Sequence, residues 1–102
     1  MELRYKNTAS GLILFLDGEL DESSAAFLRN KLDDVLESHL TAPCAVFDLS
    51  GLRFMDSTGV GVLLGRYKKF SKFLPFYIRD PSPQVSRVLG IGGIYGVMPL
   101  CC

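Results

Sequence analysis

The sequence has one histidine, three cysteines, no tryptophan and no excess of either charge, since 11 Lys and Arg residues balance 11 Asp and Glu residues. A balanced charge gives no extended basic surface of the kind that holds nucleic acid. No apolar run approaches the roughly 20 residues that cross a bilayer, and the first residues are charged and alternating, unlike a signal peptide. We therefore expect a cytoplasmic protein that binds neither nucleic acid nor membrane.

The few cysteines exclude two further classes. Cys44 lies in an apolar run, while Cys101 and Cys102 are adjacent at the end of the sequence. This spacing does not match a metal site, and an odd number argues against a disulfide framework. We expect no metal and no other cofactor.

The length allows one core. A chain of this size buries only about 60–65% of its unfolded surface, which suits two packed layers. Changes in hydrophobic period predict the element order β-β-α-β-α-β-α-β. Helical crossovers make parallel neighbours and an initial hairpin adds an antiparallel one, so we predict a single α/β domain over residues 1–102, with helices packed on a mixed, mostly parallel sheet.

The predicted elements are placed by apolar spacing and by turn and capping residues. The hairpin strands lie around residues 3–5 and 12–16, and Asp17-Gly18 closes the second strand. Asp21 caps a helix that ends before Pro43. The remaining predictions are a buried strand over residues 44–49, a loop over 50–56, a helix to about Phe70, a strand over 76–78, a helix from Ser82-Pro83 through Leu89 ended by Gly90, and an extended segment over 96–100.

Several charged residues have a simple structural interpretation. Asp33 and Asp34 are adjacent on the first helix, and the helical pattern directs both side chains to solvent. This argues against a pair of carboxylates that acts in general acid–base catalysis. His39 falls at the end of the same helix, where a cation is favourable. A cationic cluster is expected at the solvated end of the second helix, formed by Arg66, Lys68, Lys69 and Lys72.

The residue patterns argue against two enzyme classes, dinucleotide-binding enzymes and serine hydrolases. Gly59, Gly61 and Gly65 give Gly-x-Gly-x-x-x-Gly instead of a dinucleotide fingerprint, and the predicted strand ends ten positions before Gly59. Close approach of the helix to the sheet or to a partner explains these glycines better. A serine hydrolase is excluded because position 55 is Met and the single histidine lies far along the chain.

The most informative segment lies between the buried strand and the second helix. Either Asp56 or Ser57 is the expected N-cap of that helix. A hydroxyl at this position lies beside unpaired backbone N–H groups, where the helix dipole favours an anion. Plain capping and phosphorylation of Ser57 therefore both fit the position.

Residues 54–68, with the sequence Phe-Met-Asp-Ser-Thr-Gly-Val-Gly-Val-Leu-Leu-Gly-Arg-Tyr-Lys, closely resemble the signature block of the STAS-domain anti-sigma factor antagonists, in particular the stage II sporulation protein AA type. Residues 18–21, Gly-Glu-Leu-Asp, and Ser82-Pro83 resemble that family at matching positions. The likeness covers nearly the whole chain.

The resemblance implies a partner-switching regulator without catalytic activity, a monomer when free. In that family the serine after the motif's Asp, which is Ser57 here, is phosphorylated by an anti-sigma factor that is also an ATP-dependent serine kinase. The unphosphorylated protein binds the ADP-bound kinase and releases the sporulation sigma factor, and a PP2C-type phosphatase restores this form. Thr58 stands where some relatives have a second serine.

A phosphate would add roughly −1.5 to −2 charges at this position, close to Asp56 and near Asp21. It would block a docking surface without changing the fold. We expect the partner-binding residues to be Asp21, Asp56, Ser57, Thr58, Gly59, Val60 and Gly61. For Val60, a contact with the partner and a place in the core are both open.

Two other functions stay open from the sequence. One is a small nucleotide-binding protein that uses the glycine-bearing helix start. The other is a STAS module of a stress-response sensory complex, which would depend on assembly with similar chains.

Overall fold

After an initial hairpin, strands and helices alternate along the chain, except for two short strands in succession in the middle. A computed structural model describes residues 1–101. Its elements are β1 (Glu2–Thr8), β2 (Gly11–Leu20), α1 (Glu22–Glu37), β3 (Ala45–Asp48), β4 (Leu52–Met55), α2 (Ser57–Phe70), β5 (Phe76–Arg79) and α3 (Pro83–Ile91), followed by a 3-10 turn at Ile94–Gly96. The α/β class predicted from the sequence is confirmed.

The long strand β2 organises the sheet, whose main order is β1-β2-β3-β5. β1 is antiparallel to β2, whereas β3 and β5 are parallel to their neighbours. The first half of β2 pairs with β3, and its last residues pair in parallel with β4. β2 changes partner between Phe15 and Gly18, and the β2–β4 register then shifts between Gly18 and Glu19, where β4 has one extra residue, Arg53. Gly18 has a φ of 114°, which favours glycine.

Alternating leucines of β2 and one stripe of each long helix form the core. Leu12, Leu14 and Leu16 point to one face of the sheet and are fully buried. Ala25, Leu28, Leu32 and Leu36 of α1 are buried at helical spacing. α1 packs against α2 as well as β1 and β2, while α3 packs against β4.

The structure corrects the predicted elements in four places. The loop predicted over residues 50–56 contains β4, a strand of four residues in which only the two ends, Leu52 and Met55, are buried. β2 continues beyond Asp17-Gly18 to Leu20, and α3 passes Gly90 to end at Ile91. The predicted last extended segment is not a strand, because the 3-10 turn covers its start and Leu100 makes only an isolated parallel bridge with Ile78.

Two predictions about charged residues were also wrong. Arg66 is buried and Asp33 is half-buried, and Arg66 Nε lies 3.0 Å from Asp33 Oδ1 between α1 and α2. Loss of hydration lowers the pKa of Arg66, and the charge of Asp33 opposes this shift. Arg66 lies on the buried stripe of α2, three and four residues after Leu63 and Val62, which explains its inward position. Lys68, Lys69, Lys72 and Asp34 are exposed, as predicted.

Candidate functional site

Two helices begin side by side at one edge of the sheet. β2 and β4 are parallel neighbours, and their last residues, Leu20 and Met55, are direct partners in the register. Asp21 and Asp56 follow them immediately, and the backbone N–H of Asp56 donates to the carbonyl oxygen of Leu20 over 3.4 Å. The pairing of β4 with β2 therefore brings together the two aspartates predicted for partner binding.

Asp56 is the N-cap of α2, which decides between the two candidates for that role. Its Oδ1 accepts hydrogen bonds from the backbone N–H groups of Thr58, at 3.0 Å, and Gly59, at 3.3 Å. The first helical bond runs from the N–H of Val60 to the carbonyl of Asp56. The cap thus occupies two of the N–H groups that the sequence had suggested as free for an anion.

Ser57 occupies the first helical position of α2 with its side chain exposed. Its hydroxyl makes no hydrogen bond with another described residue. Thr58 is half-exposed at the next position. The hydroxyl of Ser57 is therefore presented to solvent at the positive end of a helix dipole, without a part in holding the fold.

Asp21 caps α1 with a capping box, confirming its predicted position. Its Oδ1 accepts from the backbone N–H groups of Ser23, at 2.9 Å, and Ser24, at 3.2 Å, while the Asp21 N–H donates to Ser24 Oγ over 3.1 Å. The hydroxyl of Ser23 also donates to Oδ1, and this bond is the main reason that the pKa of Asp21 is lowered. Asp21 is therefore ionised at neutral pH.

The three glycines of α2 do not have one common role. A Cβ on Gly59 would lie 2.8 Å from Met55 Cγ and 2.9 Å from Leu20 Cγ, so glycine lets α2 start against the two strand ends. A Cβ on Gly61 or Gly65 would meet no atom within 4 Å. Close approach of the helix to the sheet is thus confirmed for Gly59 alone.

Val60 is buried against the end of α3. A Cβ on Gly92 would lie 2.6 Å from Val60 Cγ1, so the glycine at the α3 terminus allows this contact. Of the two roles left open for Val60, the structure gives it the place in the core. Its outer side still borders a small cavity that Ser57 also lines.

Gln84 is a site residue that the sequence analysis did not find. Its Nε2 donates to the carbonyl oxygen of Met55 over 3.1 Å, and its Oε1 accepts from the Met55 N–H at 3.4 Å. The side chain thereby pairs with β4 like a short additional strand, one residue before the Asp56 cap. No local sequence signal identifies a contact between residues 29 positions apart.

His39, the single histidine, lies at the opposite end of α1 from the Asp21 cap. His39 Nδ1 lies 2.7 Å from the carbonyl oxygen of Val35 at the far end of α1, a helix of 16 residues and about 24 Å. Within residues 1–101, no three His, Cys, Asp or Glu side chains form a group suited to a metal ion. None of the helices that the structure describes is both long and apolar enough to span a membrane.

One argument against dinucleotide binding was wrong. A strand does precede the glycines closely, because β4 ends at Met55, four positions before Gly59. The glycine spacing still differs from the fingerprint. In addition, Gly59 packs on Leu20 and Met55, so it does not face an open space for a phosphate.

Known proteins share the sequence pattern and the fold of this chain. Residues 2–101 match the STAS domain family. The anti-sigma F factor antagonist of Paenibacillus polymyxa is 33% identical over 101 residues, which cover 98% of this chain and 86% of the relative.

Two solved structures show the same fold. The anti-sigma factor antagonist SpoIIAA in its unphosphorylated form has a TM-score of 0.76 and 24% identity, covering 99% of this chain and 89% of that one. The Bacillus cell fate determinant SpoIIAA in the phosphorylated form has a TM-score of 0.69 and 24% identity, covering 99% and 92%.

Proposed function

This chain belongs to the STAS domain family, and on that premise we propose that it is an anti-sigma factor antagonist controlled by phosphorylation of Ser57. In its unphosphorylated form it binds an anti-sigma factor that is also a serine kinase, with ADP in the kinase site, and so releases a sporulation sigma factor. Phosphate on Ser57 ends this binding, and a PP2C-type phosphatase restores it. The protein acts in the cytoplasm as a substrate and binding partner, not as an enzyme.

The exposed, unbonded hydroxyl of Ser57 at the start of α2 is the observation that carries this proposal. A serine inside a hydrogen-bonded cap would have to break that cap to accept phosphate, whereas Asp56 already performs the capping. The relatives named as anti-sigma factor antagonists, and a SpoIIAA structure in the phosphorylated form, support the same assignment.

In phosphoryl transfer, Ser57 Oγ forms a bond to the γ-phosphorus of ATP while the bond from that phosphorus to ADP breaks. The hydroxyl proton passes to a base that the kinase supplies. In the reverse arm of the cycle, water attacks the phosphorus and the bond to Ser57 Oγ breaks, which releases inorganic phosphate and restores the hydroxyl.

The charge of the site explains how phosphate would act as a switch. Asp21 is ionised, and the phosphate would add roughly −1.5 to −2 charges to the residue that directly follows the Asp56 cap. The positive end of the α2 dipole tolerates that charge, so the fold is kept. A partner surface shaped for a small neutral hydroxyl would meet a bulky anion, which removes affinity by steric and electrostatic repulsion.

The test is the intact mass of the purified protein after incubation with ATP and the anti-sigma kinase from the same organism. We expect one phosphate on the wild type, none on Ser57→Ala, and one on Thr58→Ala, the matched control with the neighbouring hydroxyl removed. Phosphate on Ser57→Ala would overturn the proposal. The absence of phosphate on the wild type, with an active kinase present, would also overturn it. Micromolar binding of ATP by the isolated wild type, lost in Ser57→Asp, would instead support a nucleotide-binding protein.

A further inference from the structure

The last turn of α3 presents an aliphatic side chain beside Ser57. Ile91 is 83% exposed, the highest value among the large apolar residues that the structure describes as exposed. Together with Ser57, Val60, Val88 and Gly92, it lines a cavity of about 160 Å³. A single exposed isoleucine is ordinary, but one that forms the wall of an apolar cavity at a modification site points to binding.

α3 is fixed at both ends, so this cavity is formed before any partner arrives. Near the start of the helix, the side chain of Gln84 is hydrogen-bonded to both backbone groups of Met55. At its end, Gly92 lies against Val60 with no room for a Cβ. A rigid surface of this kind loses little conformational entropy on binding.

The charge distribution decides what kind of partner can cover this surface. In a symmetric dimer of this chain, the patch of one copy would contact the same patch of the other. The carboxylates of Asp21 and Asp56 would then approach their counterparts in the second copy. Such like-charge contacts are unfavourable, so a second copy is a poor occupant. A different protein, with hydrogen-bond donors or cations facing the two caps and an apolar side chain beside them, is complementary to both parts.

We propose that the cavity bordered by Ile91 receives one aliphatic side chain of the anti-sigma factor, and that Ile91 is the main apolar contact of this interface. The inference rests on the proposed function and extends it from Ser57 to α3. A cavity of about 150 Å³ accommodates a group the size of benzene, so this one has room for a single leucine or isoleucine side chain. The apolar part supplies affinity, while Ser57 beside the Asp56 cap supplies the switch.

The test compares binding of the anti-sigma factor from the same organism, loaded with ADP, to four forms of the chain. These are the wild type, Ser57→Asp, Ile91→Ser and Phe73→Ser. Phe73 is the matched control because it is also exposed, at 49%, but follows the far end of α2, a helix of 14 residues and about 21 Å.

We expect Ile91→Ser to weaken binding about 10- to 100-fold and Phe73→Ser to leave it unchanged. Higher salt should not alter the loss from Ile91→Ser, which removes apolar contact, but should reduce the loss from Ser57→Asp. Thermal melts check that Ile91→Ser and Phe73→Ser remain folded.

The outcomes separate the two proposals. Wild-type affinity of Ile91→Ser, with loss only in Ser57→Asp, overturns the role of Ile91 and leaves the proposed function standing. A wild-type dimer that dissociates in Ile91→Ser assigns the cavity to a second copy and also overturns the inference. No binding by the wild type overturns the proposed function and this inference together.

Discussion

Leu20 and Met55 are direct partners at the ends of two parallel strands, and each is followed by the aspartate that caps a helix. The N-termini of α1 and α2 consequently meet at one edge of the sheet, with their positive dipole ends side by side. Asp21 and Asp56 use their carboxylates to satisfy backbone N–H groups there. Ser23 and Ser57 are both exposed at this edge, but the Ser23 hydroxyl donates to Asp21 Oδ1, whereas that of Ser57 makes no hydrogen bond with another described residue.

The charge of Asp21 can be separated from its capping role by Asp21→Asn. Asparagine keeps the cap but loses the charge that the lowered pKa of Asp21 shows to be favourable, so we expect a smaller fall in melting temperature than for Asp21→Ala. Under the proposed function this carboxylate faces the partner, so its loss should weaken anti-sigma factor binding about tenfold. Thermal melts beside binding titrations measure the two effects, with Asp21→Ala as the variant that loses both. Binding that follows the melting temperature across the two variants would assign Asp21 to stability alone.

Gly59 and Gly61 form a matched pair on one helix. Gly59→Ala should destabilise the protein by about 1–3 kcal/mol, because the added methyl group would overlap Met55 and Leu20. Gly61→Ala has open space and should stabilise the fold by up to about 1 kcal/mol through helix propensity.

Urea denaturation of both glycine variants measures these differences. Under the proposed function, the methyl group added by Gly61→Ala would lie between α2 and the partner. This variant should therefore bind the anti-sigma factor more weakly although its fold is more stable. Equal destabilisation by both substitutions would contradict the packing difference.

The side chain of Gln84 is hydrogen-bonded to the backbone of β4 at Met55. Gln84→Ala should therefore lower the free energy of unfolding by about 1–2 kcal/mol. Both backbone groups of Met55, a fully buried residue, lose their partner in this variant. Gln84→Glu is the matched control, since its carboxylate can accept from the Met55 N–H but cannot donate to the carbonyl oxygen. Urea denaturation at neutral pH should find Gln84→Glu no more stable than Gln84→Ala; recovery to wild-type stability would show that the donated bond is unimportant.

The pH dependence of stability should contain a contribution from Asp48. Burial raises the pKa of Asp48, but hydrogen bonds from Ser50 and Arg79 outweigh this and lower it below 3.8. The stabilising effect is therefore complete above the unfolded value and is lost as the pH falls through the lower folded value.

Asp48→Asn should accordingly destabilise the protein by about 1–3 kcal/mol at pH 7, where Arg79 loses its ionic partner. The difference from the wild type should shrink as the pH falls below the unfolded pKa of Asp48. Chemical denaturation between acid and neutral pH measures this. A difference that stays constant with pH would show that the carboxylate charge is not involved.

The sequence predicted best those elements that have a long periodic pattern. α1, α2 and the buried strand β3 were found because their apolar residues repeat over several turns or form a short continuous run. β4 was missed because it has four residues with only its ends buried, and because its pairing with β2 is a contact distant in sequence. Arg66 differs from its predicted place because its position on the buried stripe of α2 outweighs the preference of its charge for solvent.

Individual site residues were easier to predict than their arrangement. Capping rules found Asp21 and gave Asp56 as one of two candidates, since N-caps have a local signature. That these two caps are neighbours follows from β4, which the sequence did not show. Gln84 and Ile91 act across the space between α3 and α2 or β4, and residue spacing contains no signal for such contacts.

The place of Ser57 at the first helical position affects how long each form of the protein survives. A phosphate at this solvent-facing position costs the fold little, so the modified chain unfolds no more often than the unmodified one. Proteases that act on transiently opened molecules follow the population of those openings. Under the proposed function, the phosphorylated, inactive form would therefore escape selective degradation and persist as a reserve, from which active protein returns without new synthesis.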